Sequence, residues 1–345
     1  MRIFNLHDVV LGLPEERLGG YLGAIESLRE KTADANKMAN VGLLRAIARQ
    51  SGAVASCACG NVFISNRQEE DLFEKGKEPS TFQTYTVMGY AKALDAIEAT
   101  DLSTELSVSF ISNLHYLMYE DYNPDFGGKL KDQQNYIQEG RRDGSFRKVF
   151  VPVSPEETYP MLDNLIYQFN LCAKDEEVNK LELICIFLLH FIAIHPYNHG
   201  NGRLSRLLLH FLLKKFGYDV DSYYSIAYLL DKQVGSYLDA FMNSTDRWND
   251  GENDPLPFVS FLLKTIRDAY AHLDYIMEIN KAQGKLEDKV FRIIYDASTP
   301  ISFKVISSCL YDTPKADLEK TINELIRGNR IHLIERGYET RYAAN

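Results

Sequence analysis

The segment His195-Pro196-Tyr197-Asn198-His199-Gly200-Asn201-Gly202-Arg203, with Arg206 one helical turn beyond Gly202, gathers a base, a glycine turn and two cations in one short stretch. The apolar run before it, residues 181–194, reads as a helix that Pro196 must end, because proline disfavours helical angles in the residue ahead of it. Gly200, Asn201 and Gly202 permit tight backbone angles with little side-chain obstruction. A second helix begins near Gly202 or Arg203. Its unpaired N–H groups and the positive end of its dipole therefore point at the glycine turn and make an anion pocket. Arg203 and Arg206, three apart on the first turn, face the same pocket and add positive charge. His195 stands at the entry, placed to take a proton from an incoming hydroxyl. A base, a phosphate cradle and two cationic clamps are what phosphoryl-type transfer requires.

Such a loop needs rigid elements around it, and most of the sequence reads as helix. Apolar spacing of three to four residues predicts helices over 19–31, 41–54, 90–99, 106–118, 161–171, 181–194, 203–216, 226–243 and 258–280. Residues 135–138 and 147–151 read instead as short strands around Asp143-Gly144, a dipeptide suited to a hairpin turn. Pro152 ends the second strand, having no N–H to offer a ladder. A lone hairpin is marginal in water, so it must be supported by something else or act on it. From about Asp288 the pattern changes to helices over 289–295, 302–311 and 315–327, then strands over 331–334 and 338–342 around Gly337. Three helices followed by a hairpin is the pattern of a winged helix. The polar segment 281–286, with Gly284, is the expected linker. No internal repeat or low-complexity tract is present. The expected fold class is mainly α, with a small β-hairpin flap, an N-terminal helical region (1–104), a core (105–280) and a C-terminal winged-helix domain (287–345).

Composition narrows the function classes. The 345 residues are 45% hydrophobic, ample for a packed core. A net charge of −10 argues against broad attraction to nucleic acid or anionic membrane, so any polyanion must be held by a local positive cluster. Five scattered cysteines suit reduced, mostly buried thiols rather than a disulfide framework, and Cys57 with Cys59 are too isolated for a metal site. The N-terminus lacks the pattern of a signal peptide. The run 181–194, which carries Glu182 and His190, is too short and polar to span a bilayer. The expectation is a cytoplasmic protein with no membrane partner.

The loop resembles the signature of the Fic family, His-Pro-Phe-x-(Asp/Glu)-Gly-Asn-Gly-Arg-x-x-Arg, at eight of nine fixed positions with Tyr197 taken as the aromatic one. The likeness extends over roughly residues 105–275. Leu114-His115-Tyr116-Leu117 matches the helix that opens the Fic core, and Gln134-Asn135-Tyr136-Ile137 with Phe150-Val151-Pro152 sit where the family has its target-docking flap. The segment from Trp248 to Asp254, before Pro257-Phe258, resembles the stretch that follows the motif.

The resemblance implies a protein adenylyltransferase that moves AMP from ATP to a Ser, Thr or Tyr hydroxyl of an unidentified target protein. It implies His195 as general base, Tyr197 as core anchor, and Gly200, Asn201 and Gly202 as binders of the nucleotide phosphates. Arg203 and Arg206 would neutralise the β- and γ-phosphates, with Asn201 and Arg203 counted beside His195 in the catalytic set. Tyr237 falls where a tyrosine lines the adenine pocket.

Two positions depart from the family. Its acidic residue, which holds Mg²⁺ against the phosphates, is His199 here, and imidazole is a poor ligand for that hard ion. Mg²⁺ is therefore in doubt, and no metal ligand is assigned. His199 is left as a cationic phosphate contact, a ligand for a softer metal, or a sign of another donor or of lost activity. Upstream, Ala55-Ser56-Cys57-Ala58-Cys59-Gly60-Asn61 matches the family's inhibitory helix, Ser-x-x-x-Glu-Gly-Asn, only loosely. Cys59 replaces the glutamate that pairs with the second arginine, so Arg206 is expected to be free for the γ-phosphate.

Plainer readings stand beside these. His7, His210, His272 and His332 read as structural or exposed. His195 and His199 are four apart, but Pro196 and the missing glutamate defeat a zinc-hydrolase motif, which needs both histidines on one helix. The run 207–213 is core. The tail's charges are nearly balanced, so protein docking or packing competes with nucleic-acid binding. Two rival functions remain: a transferase using another nucleotide donor, and a weakly catalytic Fic-like regulator that binds DNA or protein through the tail. A homo-oligomer is left open.

Overall fold

The computed structural model describes residues 5–140, 146–336 and 339–345. Asp143-Gly144 and Gly337-Tyr338, the expected hairpin turns, lie outside the described residues.

Five helices precede the core: α1 (Leu6–Leu11), α2 (Glu15–Thr32), α3 (Val41–Ala58), α4 (Asn66–Phe73) and α5 (Phe82–Glu98). α6 (Val108–Leu117) leads to the hairpin of β1 (Ile137–Gly140) and β2 (Phe146–Phe150). Then come α7 (Pro155–Cys172), α8 (Lys180–Ile194), α9 (Asn201–Lys215), α10 (Ile226–Lys232), α11 (Val234–Thr245) and α12 (Leu256–Lys281).

α8 is the centre of the molecule. Every residue from Leu181 to Ile194 is buried, as expected of a helix apolar on all sides. The Asn179 side chain caps it by accepting from the N–H groups of Leu181 and Glu182. α7, α9 and α12 pack around it, α2 lies along α12, and the N-terminal helices share this same core through Leu18, Ile25, Leu44 and Val87. Ser154 and Glu157 form a capping box with Pro155 at the first helical position, which is why α7 starts well before the expected residue 161. The helix expected over 226–243 breaks at Gln233, whose backbone (φ −123°, ψ 28°) leaves the helical region between α10 and α11. α4 was not expected; a Ser65–Gln68 capping box starts it. Where α5 crosses the end of α6, a Cβ on Gly89 would lie 2.2 Å from the Met118 carbonyl oxygen, so only glycine allows that approach.

The tail has its own small core, with Val290, Ile294, Ile306, Leu318 and Ile322 packed beside Ile279 of α12. It comprises α13 (Leu286–Asp296), β3 (Ile301–Ser302), α14 (Phe303–Cys309), α15 (Lys315–Arg327), β4 (Ile331–Arg336) and β5 (Glu339–Ala344). α13 begins where the linker was expected to end. β3 is an addition to the expected elements, and the antiparallel sheet runs in the order β3-β5-β4. The tail grips the N-terminal part of α3. Tyr311 Oη donates to the Ala39 carbonyl at 2.6 Å, and Asn40 Nδ2 donates to Asp312 at 2.6 Å. Lys304 pairs with Glu69 at 2.6 Å, and Gln50 of α3 donates to the same carboxylate at 2.9 Å. Among the described residues no helix is long and apolar enough to cross a membrane.

Candidate functional site

α8 ends as its sequence requires. His195 turns into the left-handed region (φ 52°, ψ 62°), and the chain leaves the helix through Pro196. The imidazole Nδ1 lies 3.2 Å from the Ile192 carbonyl oxygen. A carbonyl only accepts, so Nδ1 carries the hydrogen and Nε2 keeps its lone pair. Burial pulls this imidazole down to about 4, so it is neutral and able to accept a proton at neutral pH.

The turn is held shut from inside. Asn201, 1% exposed, accepts from the Tyr197 N–H through Oδ1 at 2.9 Å and donates to the Tyr197 carbonyl through Nδ2 at 2.6 Å. Its side-chain amide is thus engaged by the loop itself, and what it can offer an anion is its main-chain N–H. Tyr197 is fully buried, with its ring stacked on His115 (centroids 4.0 Å apart) and its hydroxyl 2.9 Å from Ser112 Oγ. His115 ties the loop to α6. The Gly128 N–H donates to its Nδ1 at 2.9 Å, so Nε2–H donates to the His199 carbonyl at 3.0 Å. Burial lowers His115 to about 4 and keeps it in that neutral form.

Gly200 stands at φ 82° just ahead of α9, where a Cβ would come within 2.8 Å of Tyr119 Oη. No side chain caps α9, so its first-turn N–H groups remain available at the glycine turn. Arg203 donates to Tyr119 Oη at 2.7 Å through Nη2, while its Nη1 is buried without a partner. An orphaned buried guanidinium nitrogen beside an uncapped helix N-terminus is a site built to receive an anion.

Arg206 differs from the sequence expectation. It is not free but 6% exposed, held at its Nε by Ser56 Oγ (2.8 Å) and at Nη2 by the Ser56 carbonyl (2.6 Å). α3 extends past the expected residue 54 to Ala58 and carries Ser56 onto the guanidinium. Cys59 follows at the C-cap of α3, and burial raises its thiol, so it offers Arg206 no thiolate. The helix in the inhibitory place therefore does cover the arginine, by a neutral serine rather than a carboxylate. Tyr237 packs against Phe258 and Phe261 with ring centroids 5.9 and 6.0 Å away. The void it shares with Arg206 and Ser205 measures about 10 Å³. That is room for one water at most, not for a purine.

His199 is exposed, its ring stacked on Phe126 at 5.3 Å. It offers nitrogen where magnesium prefers oxygen, and among the described residues no group of three His, Cys, Asp or Glu is gathered to hold a metal. The residues present do not make a magnesium site. Sequence reasoning missed Tyr119 and Lys131 and gave Ser56 and Asn135 no contact with the site, although all four reach the loop or its arginines from elements distant in sequence. A larger cavity of about 260 Å³ lies along α3, lined by Arg45, Gly52, Glu98, His210 and Asp221. There the buried His210 is clamped at 2.8 Å by both Glu98 and Asp221, a structural role as expected for that histidine.

Residues 105–213 match the Fic/DOC family. A protein adenylyltransferase, fic-1 of Caenorhabditis elegans, is 28% identical over 138 residues, which cover 38% of this chain and 24% of that protein. A protein adenylyltransferase Fic of Drosophila grimshawi is 28% identical over 180 residues, 51% of this chain and 32% of that protein. The chain thus spans about a quarter to a third of these relatives. Among solved structures, a Fic family protein from Desulfovibrio desulfuricans superposes with a TM-score of 0.61 at 17% identity, covering 95% of this chain and 96% of that one. Fic-1 of C. elegans gives 0.56 at 19% identity, covering 75% and 73%. Both show the fold.

Proposed function

We propose that this chain, a member of the Fic family by the domain at its centre, is a protein adenylyltransferase held in a closed state. The observation that carries the reading is the joint placement of a neutral His195 with a free Nε2, the uncapped start of α9 and the orphaned Arg203 Nη1. In the reaction, a hydroxyl oxygen of the target attacks the α-phosphorus of ATP while His195 Nε2 takes the hydroxyl proton. The bond between the α-phosphorus and the bridging oxygen breaks, AMP is left esterified to the target, and pyrophosphate departs. Main-chain N–H groups of the glycine turn and Arg203 stabilise charge developing on the phosphates. Arg206 joins them once Ser56 lets go, and Tyr237 would line the adenine side of the space that then opens.

The hairpin of β1 and β2 would dock a target segment by main-chain pairing, which carries little information about the target's side chains. We read the tail as a winged helix that docks protein: its nine basic and nine acidic residues over 287–345 give no net attraction to nucleic acid. The five free thiols suit a reducing compartment such as the cytoplasm.

The test uses ATP labelled on the α-phosphate, incubated with the full chain and a cell lysate, with Mg²⁺, with Mn²⁺ and with a chelator. Protein-bound label that vanishes in His195→Ala is expected. Label that persists in that variant rejects the assigned base. Label appearing only in His199→Glu would show that the natural loop is not an efficient AMP transferase.

A further inference from the structure

The segment between α6 and β1 runs along the loop and bonds four successive carbonyls of it. Lys131 Nζ donates to Ile194 O at 3.0 Å and Lys131 N to Pro196 O at 2.8 Å. Asn135 Nδ2 donates to His195 O at 3.1 Å and to Tyr197 O at 2.8 Å. Leu130 completes the brace by an antiparallel bridge to Tyr197. With these carbonyls engaged by the brace, they are withdrawn from the phosphate pocket.

Lys131 is unusual within this brace. It is 4% exposed, yet among the described residues its ammonium has only two neutral partners, Ile194 O and Asn135 Oδ1 at 3.2 Å. Burying a lysine without a counter-ion is unfavourable, and burial lowers this one to about 8. Its position explains what offsets that cost. The last carbonyls of α8 form the negative end of a long buried helix, and an ammonium there is stabilised by the helix dipole. His195 is the C-cap of the same helix, and its Nδ1–H is bonded to Ile192 O. Both features favour an imidazolium, which is the wrong form for a base. Burial opposes them, and Lys131, whose ammonium is bonded to the carbonyl of the residue before His195, adds a positive charge that acts in the same sense. The other titratable group bearing on that imidazole is His199, across the loop, which acts in the same sense when protonated.

We propose that Lys131 is a positioning residue that holds the catalytic loop by the Ile194 carbonyl and adds its charge to the burial that favours the proton-accepting form of His195. Its meaning for catalysis rests on the transferase reading, but its test does not. The full chain, labelled with ¹³C in histidine, is titrated by NMR, with the His195 signal assigned through His195→Gln. In Lys131→Met, of similar volume but uncharged, the His195 midpoint should rise by about one pH unit, a roughly tenfold gain in proton affinity, while the His210 midpoint stays in place. Should that variant not fold, Lys131→Gln sheds the charge while keeping a donor and is read in the same way. A folded neutral variant with an unchanged His195 midpoint overturns the proposal. So does a wild-type His195 that titrates at or above the ordinary histidine value of about 6.5. If AMP transfer is measurable, the acid limb of its pH profile moves upward in step and the KM for ATP does not. If the wild type transfers nothing, the proposed function falls while the titration still decides the role of Lys131.

Discussion

Substituting Ser56 should make ATP bind more tightly. Arg206 is held by the Ser56 hydroxyl at 2.8 Å and by the Ser56 carbonyl at 2.6 Å, in a pocket with a void of about 10 Å³. A γ-phosphate reaches this guanidinium only after both hydrogen bonds open and the end of α3 withdraws. Part of the attraction between phosphate and arginine is therefore consumed in opening the site, and the apparent affinity is reduced by the fraction of molecules already open. Ser56→Ala removes the hydroxyl and keeps the carbonyl. The closed state loses one charge-assisted bond and gains a buried Nε–H without an acceptor, raising its energy by about 1.5–3 kcal/mol. The open state, where solvent or phosphate satisfies Nε, is little changed. Each 1.4 kcal/mol is tenfold in an equilibrium constant, so the Kd for ATP should fall by about 10- to 100-fold. Isothermal titration calorimetry on the full chain reads this directly, and a thermal melt without nucleotide should show a lower Tm in the same variant. A lowered Tm with unchanged or weaker ATP binding would refute the reasoning: the contact would then be packing alone, and Arg206 would not be a phosphate ligand. Arg206→Met should abolish the gain.

Other expectations concern the loop and its surroundings. Gly200→Ala must adopt φ 82° and drive a methyl to 2.8 Å from Tyr119 Oη, so Tyr119 is pushed from Arg203 and transfer should fall at least tenfold in a label assay. Asn201→Ala leaves the buried Tyr197 N–H without an acceptor and its carbonyl with Asn135 alone, costing about 1–3 kcal/mol in urea unfolding. His210 is raised to about 9 by Asp221 and Glu98. Its charged form is favoured by folding, so this contribution is complete below the unfolded value of about 6.5 and is lost as pH rises through about 9. His210→Gln should therefore flatten the decline of Tm over that interval. His115 runs the other way: lowered to about 4 by burial, it costs stability as pH falls from 6.5 toward 4, where its Nδ1 can no longer accept from Gly128. An acid limb in Tm that is shallower in His115→Gln, where His195 still contributes, checks this.

The chemistry of the loop was legible because it is local. Pro196, Gly200 and the two arginines dictate where one helix stops and the next begins within a few residues, and the apolar run 181–194 can only be a central helix. What stayed hidden depends on contacts distant in sequence. Ser56 lies 150 residues from Arg206, in a run of small residues where helical periodicity fades, so neither its partner nor the last turn of α3 showed in the pattern. Asn201 resembled a phosphate ligand because the loop's own use for its amide appears only when Tyr197 is folded against it. Lys131 is charged, and a sequence pattern places charges on surfaces. β3 is two residues long, too short for any alternation to register.

α3 is tied at both ends, to the tail through Ala39 and Asn40 just ahead of it and to Arg206 through Ser56. A rod fastened in this way makes its two attachments thermodynamic partners. Under the proposed function, whatever free energy the tail adds to holding α3 in place would be subtracted from the binding of ATP, and by linkage bound ATP would weaken the tail's grip by the same factor. The tail would then be a second reporter of nucleotide, expected to show faster amide exchange around Ala39 and Tyr311 when ATP is added.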